Sequence, residues 1–427
     1  MTTPLSRRAF AGTLGLAAGA ALVDSPLGRV AEAAARRPRP AGAVILNSNE
    51  NPYGPFSKAL EALGRAGAFA NRYPDALEDE VRAAIAKHHG VAIEQVVLGC
   101  GSSEILQMAD EAFAGPGGRV VAAQPTFEAV LLYAAAIRAE GIKVPLTAEF
   151  RHDLPAMAAA AREKAAGLVY VCNPNNPTGT VVSGAALASF VESLPASTVV
   201  LVDEAYHHFV EDPGYRSAAG LIATHPNVVV ARTFSKIYGL AGMRLGYAVG
   251  SVERIAAMAA YASFSNANAA VLGAAAASLD DAEGVARTRK KLNDTRCWLS
   301  AEMARQGRRT IPSEANFMMI EVGRDVAPVI DEFRKRNILV GRRFPSLPNW
   351  LRVTVGKPDE MQAFAAALPA IVPGTAAGGV GTPPATPVPV APGTEAGEVA
   401  ALATECVAAA PGTEAGGTLV APGGGAG

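Results

Sequence analysis

The sequence predicts an α/β fold with a mostly parallel central sheet. Short apolar runs rich in valine, such as Leu168-Cys172 and Val199-Val202, alternate with longer stretches of helical period, such as Ala185-Ser193. Runs this apolar indicate strands buried on both faces, which a parallel sheet covered by helices provides. Ligands of such sheets bind beyond the carboxyl ends of the strands, so we expect the functional residues there.

The remaining elements follow in order along the chain. Further strands are predicted at Val96-Leu98, Val120-Ala123, Val228-Ala231 and Tyr247-Gly250, and further helices at Ser103-Phe113, Phe127-Ala139 and Glu253-Tyr261. After Asn266 the pattern changes to a long charged helix, Gly284-Gln306. A second set of strands (Phe317-Glu321, Ile338-Gly341, Leu351-Val355) and helices (Ala327-Lys335, Pro358-Ala367) follows it. This change predicts a smaller second domain.

The composition of the chain limits which partners and sites it can have. The chain has 427 residues, of which 50% are hydrophobic, so it can bury a large core. A net charge of −1 without long basic blocks argues against binding to nucleic acid or to anionic membranes, and favours a small-molecule partner. The four cysteines have no CxxC or CxxH spacing and no HExxH occurs, so we expect no metal site.

The two ends differ from the rest. Residues 1–35 contain a Ser6-Arg7-Arg8 start, an apolar run and small residues ending at Ala35, a pattern typical of a cleaved signal peptide. It resembles a twin-arginine export signal, which predicts a periplasmic protein without stable membrane insertion; a cytoplasmic enzyme is the alternative. Residues 373–427 contain 13 glycines and 8 prolines, a composition typical of a disordered tail.

The segment from Thr233 to Tyr247 carries the strongest chemical signal. Lys236 follows a predicted buried strand and is surrounded by hydroxyls and glycines, with Arg244 eight residues further on. Lysine forms Schiff bases with aldehydes, and partial burial makes its amine nucleophilic by lowering its pKa. Arg244, with the hydroxyls of Thr233 and Ser235, suits a phosphate. A single lysine is most often a solvated surface charge, so the assignment depends on its context.

Other polar groups follow neighbouring strands. Asp203 ends an apolar strand, where a carboxylate can pair with a protonated ring nitrogen; capping of the next helix is the alternative. An ATPase site is excluded because no GxxxxGK[ST] motif occurs.

Two turns after predicted strands also carry polar groups. Asn176 lies in an Asn/Pro/Gly turn after the strand that ends at Cys172. The Gly99-to-Glu104 turn can hold a phosphate at a helix start, or be a tight turn only.

Taken in order, these blocks resemble the fold-type-I aminotransferases that use pyridoxal 5′-phosphate, most closely the histidinol-phosphate aminotransferase group. The resemblance runs from about Val44 to Ile371 and depends on these blocks: Asn49 to Pro55, Arg72 to Asp75, Asn176 to Gly179, Asp203 to Tyr206, Ser235 to Arg244, and Leu351 to Gly356. It implies a large domain (70–266) with a mostly parallel seven-stranded sheet sandwiched by helices. An N-terminal arm (36–69) would join a smaller α/β C-terminal domain (267–372).

The resemblance also implies residue roles. Lys236 would bind the cofactor aldehyde and then shuttle a proton, Asp203 would hold the pyridine nitrogen protonated, and Asn176 and Tyr206 would contact the phenolic oxygen. Lys236, Asp203 and Tyr206 are the catalytic residues so implied. The phosphate would be held by Ser102, Ser103, Thr233, Ser235 and Arg244.

Three aromatic or basic side chains complete the implied site. Phe127 would stack on the ring, and Tyr73 would reach the phosphate of the neighbouring subunit, which implies a homodimer. Arg352 would bind the substrate α-carboxylate in a bidentate fork, beside Asn176. The implied reaction moves an amino group from an L-amino acid or an amino-alcohol phosphate, histidinol phosphate-like or aromatic, to a 2-oxo acid such as 2-oxoglutarate.

Two departures concern the substrate. The segment from Arg36 to Ala43 has no tyrosine where the biosynthetic enzymes have a Pro-Tyr element, and Gly341 lies near the position of an expected arginine, followed by Arg342 and Arg343. Both features argue against a phosphorylated substrate. Two alternatives to transamination remain: a decarboxylase or lyase on the same scaffold, and, in another class, a non-catalytic periplasmic binding protein.

Overall fold

The computed structural model describes residues 40–373. The strands are β1 (Val44–Leu46), β2 (Val96–Gly99), β3 (Arg119–Gln124), β4 (Glu140–Pro145), β5 (Leu168–Cys172), β6 (Val199–Asp203), β7 (Val228–Thr233), β8 (Gly246–Val249), β9 (Thr310–Ile311), β10 (Phe317–Glu321), β11 (Ile338–Val340) and β12 (Trp350–Thr354). The helices are α1 (Ser57–Ala66), α2 (Asp75–His89), α3 (Ser102–Ala109), α4 (Ala129–Ala136), α5 (Leu154–Glu163), α6 (Gly184–Glu192), α7 (Val252–Ala259), α8 (Ala269–Leu279), α9 (Ala282–Arg305), α10 (Val326–Lys335) and α11 (Pro358–Ile371).

The central sheet has seven strands in the order β2-β8-β7-β6-β5-β3-β4. Neighbours from β4 to β7 pair in parallel, and β8 runs antiparallel to both β7 and β2. Every residue of β5, β6 and β7 is buried, because valine-rich strands in the middle of a sheet pack on both faces. The predicted mostly parallel, seven-stranded α/β fold is therefore confirmed.

Helices cover both faces of this sheet. Side chains of α1, α2, α5, α6 and α8 pack with one face in a single hydrophobic cluster. Side chains of α3, α4 and α7 pack with the other face in a second cluster. Each strand except the edge strand β4 thus contributes alternate residues to two cores, which fixes its register and the position of its carboxyl end.

A smaller unit is built from the last part of the chain and the N-terminal arm. Strands β9, β10 and β12 form an antiparallel sheet, and β1 pairs in parallel with β11, Val44 opposite Ile338. Helices α10 and α11 pack with these strands in a third cluster. Helix α8 packs on α1 and α2, in the core of the large sheet. The domain boundaries at 69/70 and 266/267 stay predictions.

The ends of the chain lie outside the described residues. The predicted signal peptide, 1–35, is wholly outside them, as is the predicted tail from residue 374 onward. Within the described range, none of the helices has the length and hydropathy needed to cross a bilayer.

Candidate active site

The carboxyl ends of β5, β6 and β7 open into a cavity of about 240 Å³. Eleven of the twelve predicted site residues line it: Ser102, Ser103, Phe127, Asn176, Asp203, Tyr206, Thr233, Ser235, Lys236, Arg244 and Arg352. The twelfth, Tyr73, is 84% exposed and does not line the cavity of its own chain. Parallel strands that end at one sheet edge bring together residues far apart in sequence.

Lys236 lies three residues beyond the end of β7. Its Nζ is 3.4 Å from the carbonyl oxygen of Ser48 and 5.5 Å from the centre of the Tyr206 ring. Burial, together with the positive charge of Arg352, lowers the pKa of this amine to about 8. A lysine in this state has a substantial neutral fraction near physiological pH, as a nucleophile toward an aldehyde requires.

Asp203 is the last residue of β6 and is almost fully buried. Its carboxylate accepts hydrogen bonds from the Tyr170 hydroxyl at 2.8 Å and the Ala205 backbone N–H at 3.0 Å. Burial raises its pKa, while these hydrogen bonds and the charge of Lys236 act in the opposite direction. A cationic N–H placed against Asp203 would stabilise its ionised form.

Glu204 follows Asp203 and points to the other side of the strand end. It forms a buried ion pair with Arg232 at 2.8 Å and accepts hydrogen bonds from Ser217 and the Ala218 N–H. Because successive strand residues face opposite ways, the two acids have separate environments. The ion pair of Glu204 with Arg232 links the end of β6 to β7, whereas the Asp203 carboxylate faces the cavity.

Asn176 and Tyr206 have their hydrogen-bonding groups oriented by neighbours. The Asn176 Oδ1 accepts from Arg352 Nη1 at 2.7 Å, so the amide NH₂ is the end left for the cavity. The Tyr206 hydroxyl accepts from Asn49 Nδ2 at 3.0 Å, which leaves its own proton to donate. Both groups can therefore donate to a ring oxygen.

A cradle for an anion lies at the start of α3. Gly101 precedes the helix with a φ of +77°, and Ser102 and Ser103 form its first turn. A Cβ at Gly101 would overlap the Arg244 guanidinium, so glycine suits both this positive φ and the approach of the guanidinium to the helix start. Helix N–H groups, hydroxyls and an arginine together are the donors that bind phosphate.

The site thus offers an amine, a buried acid in the same cavity, and a phosphate cradle, which fits a phosphorylated pyridine aldehyde. The sequence matches the family "Aminotransferase class I and II" over residues 41–368. The chain belongs to this family. It is therefore a pyridoxal-phosphate-dependent transaminase, as the resemblance implied.

Relatives within the family differ in their named substrates. The chain is 43% identical to a histidinol-phosphate aminotransferase of Symbiobacterium thermophilum, over 77% of this chain and 90% of that protein. It is 40% identical to an aromatic amino acid aminotransferase of Mycobacterium bovis, over 76% and 91%. The structure of a histidinol-phosphate aminotransferase from Sinorhizobium meliloti in complex with pyridoxal-5′-phosphate matches with a TM-score of 0.73 and 27% identity, over 77% and 90%.

Several cavity or supporting residues were not predicted. Asn49 has a φ of +54° and is held by Thr354 and Asn316, so the N-terminal arm and the last strands jointly orient Tyr206. Asn49 belongs to the Asn-Glu-Asn-Pro block of the sequence, but the block by itself does not show which side chain Asn49 contacts. Tyr170 lies inside an apolar strand, where sequence does not show its hydroxyl reaching Asp203. Residues 40–373 contain no cluster of three or more His, Cys, Asp or Glu arranged to hold a metal.

Proposed function

We propose that this aminotransferase takes its amino group from an L-amino acid or an amino-alcohol phosphate, histidinol phosphate-like or aromatic, and transfers it to a 2-oxo acid such as 2-oxoglutarate. Arg352 carries the proposal. It is buried at the cavity wall, donates to Asn176 and to the Asn47 carbonyl at 3.0 Å, and its Nε has no hydrogen-bond partner in the described part of the chain. A substrate carboxylate supplies the missing acceptor.

The residues present fit the cofactor. Arg244, Thr233, Ser235 and the α3 start would hold its phosphate, Asp203 its ring nitrogen, and Asn176 and Tyr206 its ring oxygen. When bound, pyridoxal phosphate supplies an electron sink for the electron pair left at the substrate Cα.

The chain's own groups do the rest. Lys236 can take up a proton at Nζ and return it near neutral pH, because its pKa is lowered to about 8. Arg352 fixes one end of the substrate, which limits the orientation of the Cα–H bond. Phe127, two residues before α4, contributes an aromatic ring to the cavity wall.

A half-reaction tests the proposal. Protein loaded with pyridoxal phosphate is mixed with one amino donor and no acceptor, and the visible cofactor band is followed while products are analysed. We expect the band to be lost and one equivalent of 2-oxo product to appear per site, followed by recovery of the band on addition of 2-oxoglutarate. Release of carbon dioxide or ammonia instead would support the decarboxylase or lyase alternative.

A substitution tests the role of Arg352. Arg352→Lys should raise KM for the donor, because lysine lacks the planar fork.

A homodimer is part of the proposal. Tyr73 is 84% exposed although its predicted role is to bind a phosphate, and Phe264 and Tyr261 are also exposed, at 98% and 50%. Large apolar side chains left in solvent favour a protein partner, here a second copy. Sedimentation of the purified protein should give twice the chain mass. In a dimer, Tyr73→Phe should weaken cofactor binding, and a monomer with full affinity would contradict the proposal.

Export by the twin-arginine pathway is also proposed, with the mature enzyme in the periplasm. The support is the order of the Arg7-Arg8 pair, the apolar run and the small residues that end at Ala35. Fractionation of cells that express the full chain should place the enzyme in the periplasm. Replacing both arginines by lysine should retain it in the cytoplasm; an unchanged distribution would contradict the proposal.

A further inference from the structure

A second arginine lies at the substrate end of the cavity. Arg342 follows β11 and lines the cavity together with Arg352. Its Nη2 forms an ion pair with Glu128 Oε2 at 2.7 Å. Glu128 comes directly after Phe127, at the start of α4, so the pair joins the last part of the chain to the large sheet.

The two arginines flank one aromatic ring. The guanidinium carbon of Arg342 is 4.4 Å from the centre of the Phe344 ring, and that of Arg352 is 5.2 Å from the same point. The two carbons therefore lie within about 10 Å of each other. At this separation a charge beside one arginine influences a ligand bound to the other.

Their charges are compensated differently. Arg352 donates to an amide oxygen and a backbone carbonyl, both neutral, and has no ion pair in the described part of the chain. Arg342 is paired with a carboxylate. The substrate end therefore offers one positive charge without a direct ion-pair partner among the described residues, at Arg352, and the Glu128 carboxylate acts on it only from beyond Arg342.

The two classes of donor place their negative charge differently. An α-amino acid has one negative charge on a carboxylate bonded directly to Cα. An amino-alcohol phosphate has close to two charges at neutral pH, on a phosphorus separated from Cα by a carbon and an oxygen. The phosphate therefore extends further from Cα and requires a second cation beyond the first. In this cavity the second cation is already held by Glu128, whose charge repels a dianion.

We propose that Glu128 is a specificity-determining residue, which neutralises Arg342 and so makes the site select donors with an α-carboxylate over donors with a phosphate ester. The inference rests on the proposed function and narrows its substrate class to L-amino acids. Loss of the Glu128 charge releases Arg342 to act as the second cation, so specificity moves toward the phosphate ester.

The test compares L-phenylalanine with L-histidinol phosphate in the half-reaction, which needs no acceptor. Wild-type protein should show the higher kcat/KM with L-phenylalanine. Glu128→Gln should raise the ratio of kcat/KM for the phosphate ester to that for the amino acid by about tenfold or more. In the double variant Glu128→Gln/Arg342→Gln this gain should disappear, because the released cation is gone.

The matched control is another partly exposed ion pair, Arg119 with Glu140 at 3.3 Å, which lies at the opposite ends of β3 and β4 from the cavity. Glu140→Gln should leave the ratio unchanged. A wild-type preference for the phosphate ester, or an unchanged ratio in Glu128→Gln with the cofactor band intact, would overturn the inference. Loss of the half-reaction with every donor in the wild type would instead refute the proposed function.

Discussion

A buried acid outside the active site provides a quantitative test of the fold. Asp110 lies in a π-helical turn, Asp110–Ala114, that continues α3, and it is completely buried. Neither of its carboxylate oxygens accepts a well-formed hydrogen bond from the described residues, and the backbone N–H of Ala134 nearby lowers the pKa by less than burial raises it. Burial, together with the negative charge of Glu111, raises its pKa to about 9. We therefore expect Asp110→Asn to stabilise the protein at neutral and alkaline pH.

The magnitude follows from the two protonation states. At pH 7 the unfolded chain has Asp110 ionised, because its ordinary pKa is 3.8, whereas the folded chain has it neutral. Keeping it neutral costs about 4 kcal/mol of folding free energy at pH 7, a large part of a typical stability. Since the folded pKa is raised, the contribution of this group to wild-type stability is highest below pH 3.8 and falls by about 1.4 kcal/mol per pH unit up to pH 9. Asparagine has no such dependence.

Urea unfolding of both proteins at pH 6, 7 and 8, with saturating pyridoxal phosphate, measures the effect. The free energy difference in favour of Asp110→Asn should widen with each pH unit. Glu80→Gln, which changes an exposed acid, is the control and should stay within about 0.5 kcal/mol of wild type at every pH. A difference between Asp110→Asn and wild type that is the same at all three pH values would refute the reasoning.

Three further predictions concern the groups around the cavity. Tyr170→Phe removes the hydrogen bond from the Tyr170 hydroxyl to Asp203. In a titration of cofactor-free protein, pyridoxal phosphate should therefore bind this variant roughly tenfold more weakly than wild type. An unchanged affinity would contradict the contribution of this hydrogen bond to cofactor binding. Arg232→Gln leaves the buried Glu204 without its cation and should cost roughly 3–5 kcal/mol in urea unfolding, whereas a loss below about 1 kcal/mol would contradict a buried pair. In cofactor-free protein the rate of reductive methylation of Lys236 should rise with pH to a midpoint near 8, because only the neutral amine reacts; a midpoint above 10 would show an ordinary lysine.

The fold and most of the cavity could be predicted because they depend on short-range patterns. Leu168–Cys172 and Phe317–Glu321 form strands with the predicted bounds, since apolar residues dominate both runs and polar or turn residues such as Gly167, Asn173 and Asn316 adjoin them. Polar residues directly after such strands meet at one edge of a parallel sheet whatever the intervening sequence. That rule is why Asn176, Asp203 and Lys236 share a cavity.

The features that were missed depend on the edge of the sheet or on long-range contacts. Strand β4 is an edge strand that reads Glu-Gly-Ile-Lys-Val-Pro, and its exposed face and terminal proline hide the apolar pattern. The predicted helix Ser103-Phe113 is divided, because regular helix ends at Ala109 and a π-helical turn follows. The contacts of Asn49 with Thr354 and of Arg342 with Glu128 join positions hundreds of residues apart, which only the folded chain brings together.

The central claim is that the Lys236 amine binds the cofactor covalently, and reduction followed by peptide mapping tests it most directly. Purified protein is incubated with pyridoxal phosphate, treated with borohydride, digested and analysed by mass spectrometry. The account predicts one phosphopyridoxyl group per chain, on the peptide that contains Lys236, and none on that peptide in Lys236→Ala. A label on a different lysine, or a tightly bound cofactor that leaves every lysine unlabelled, would contradict it.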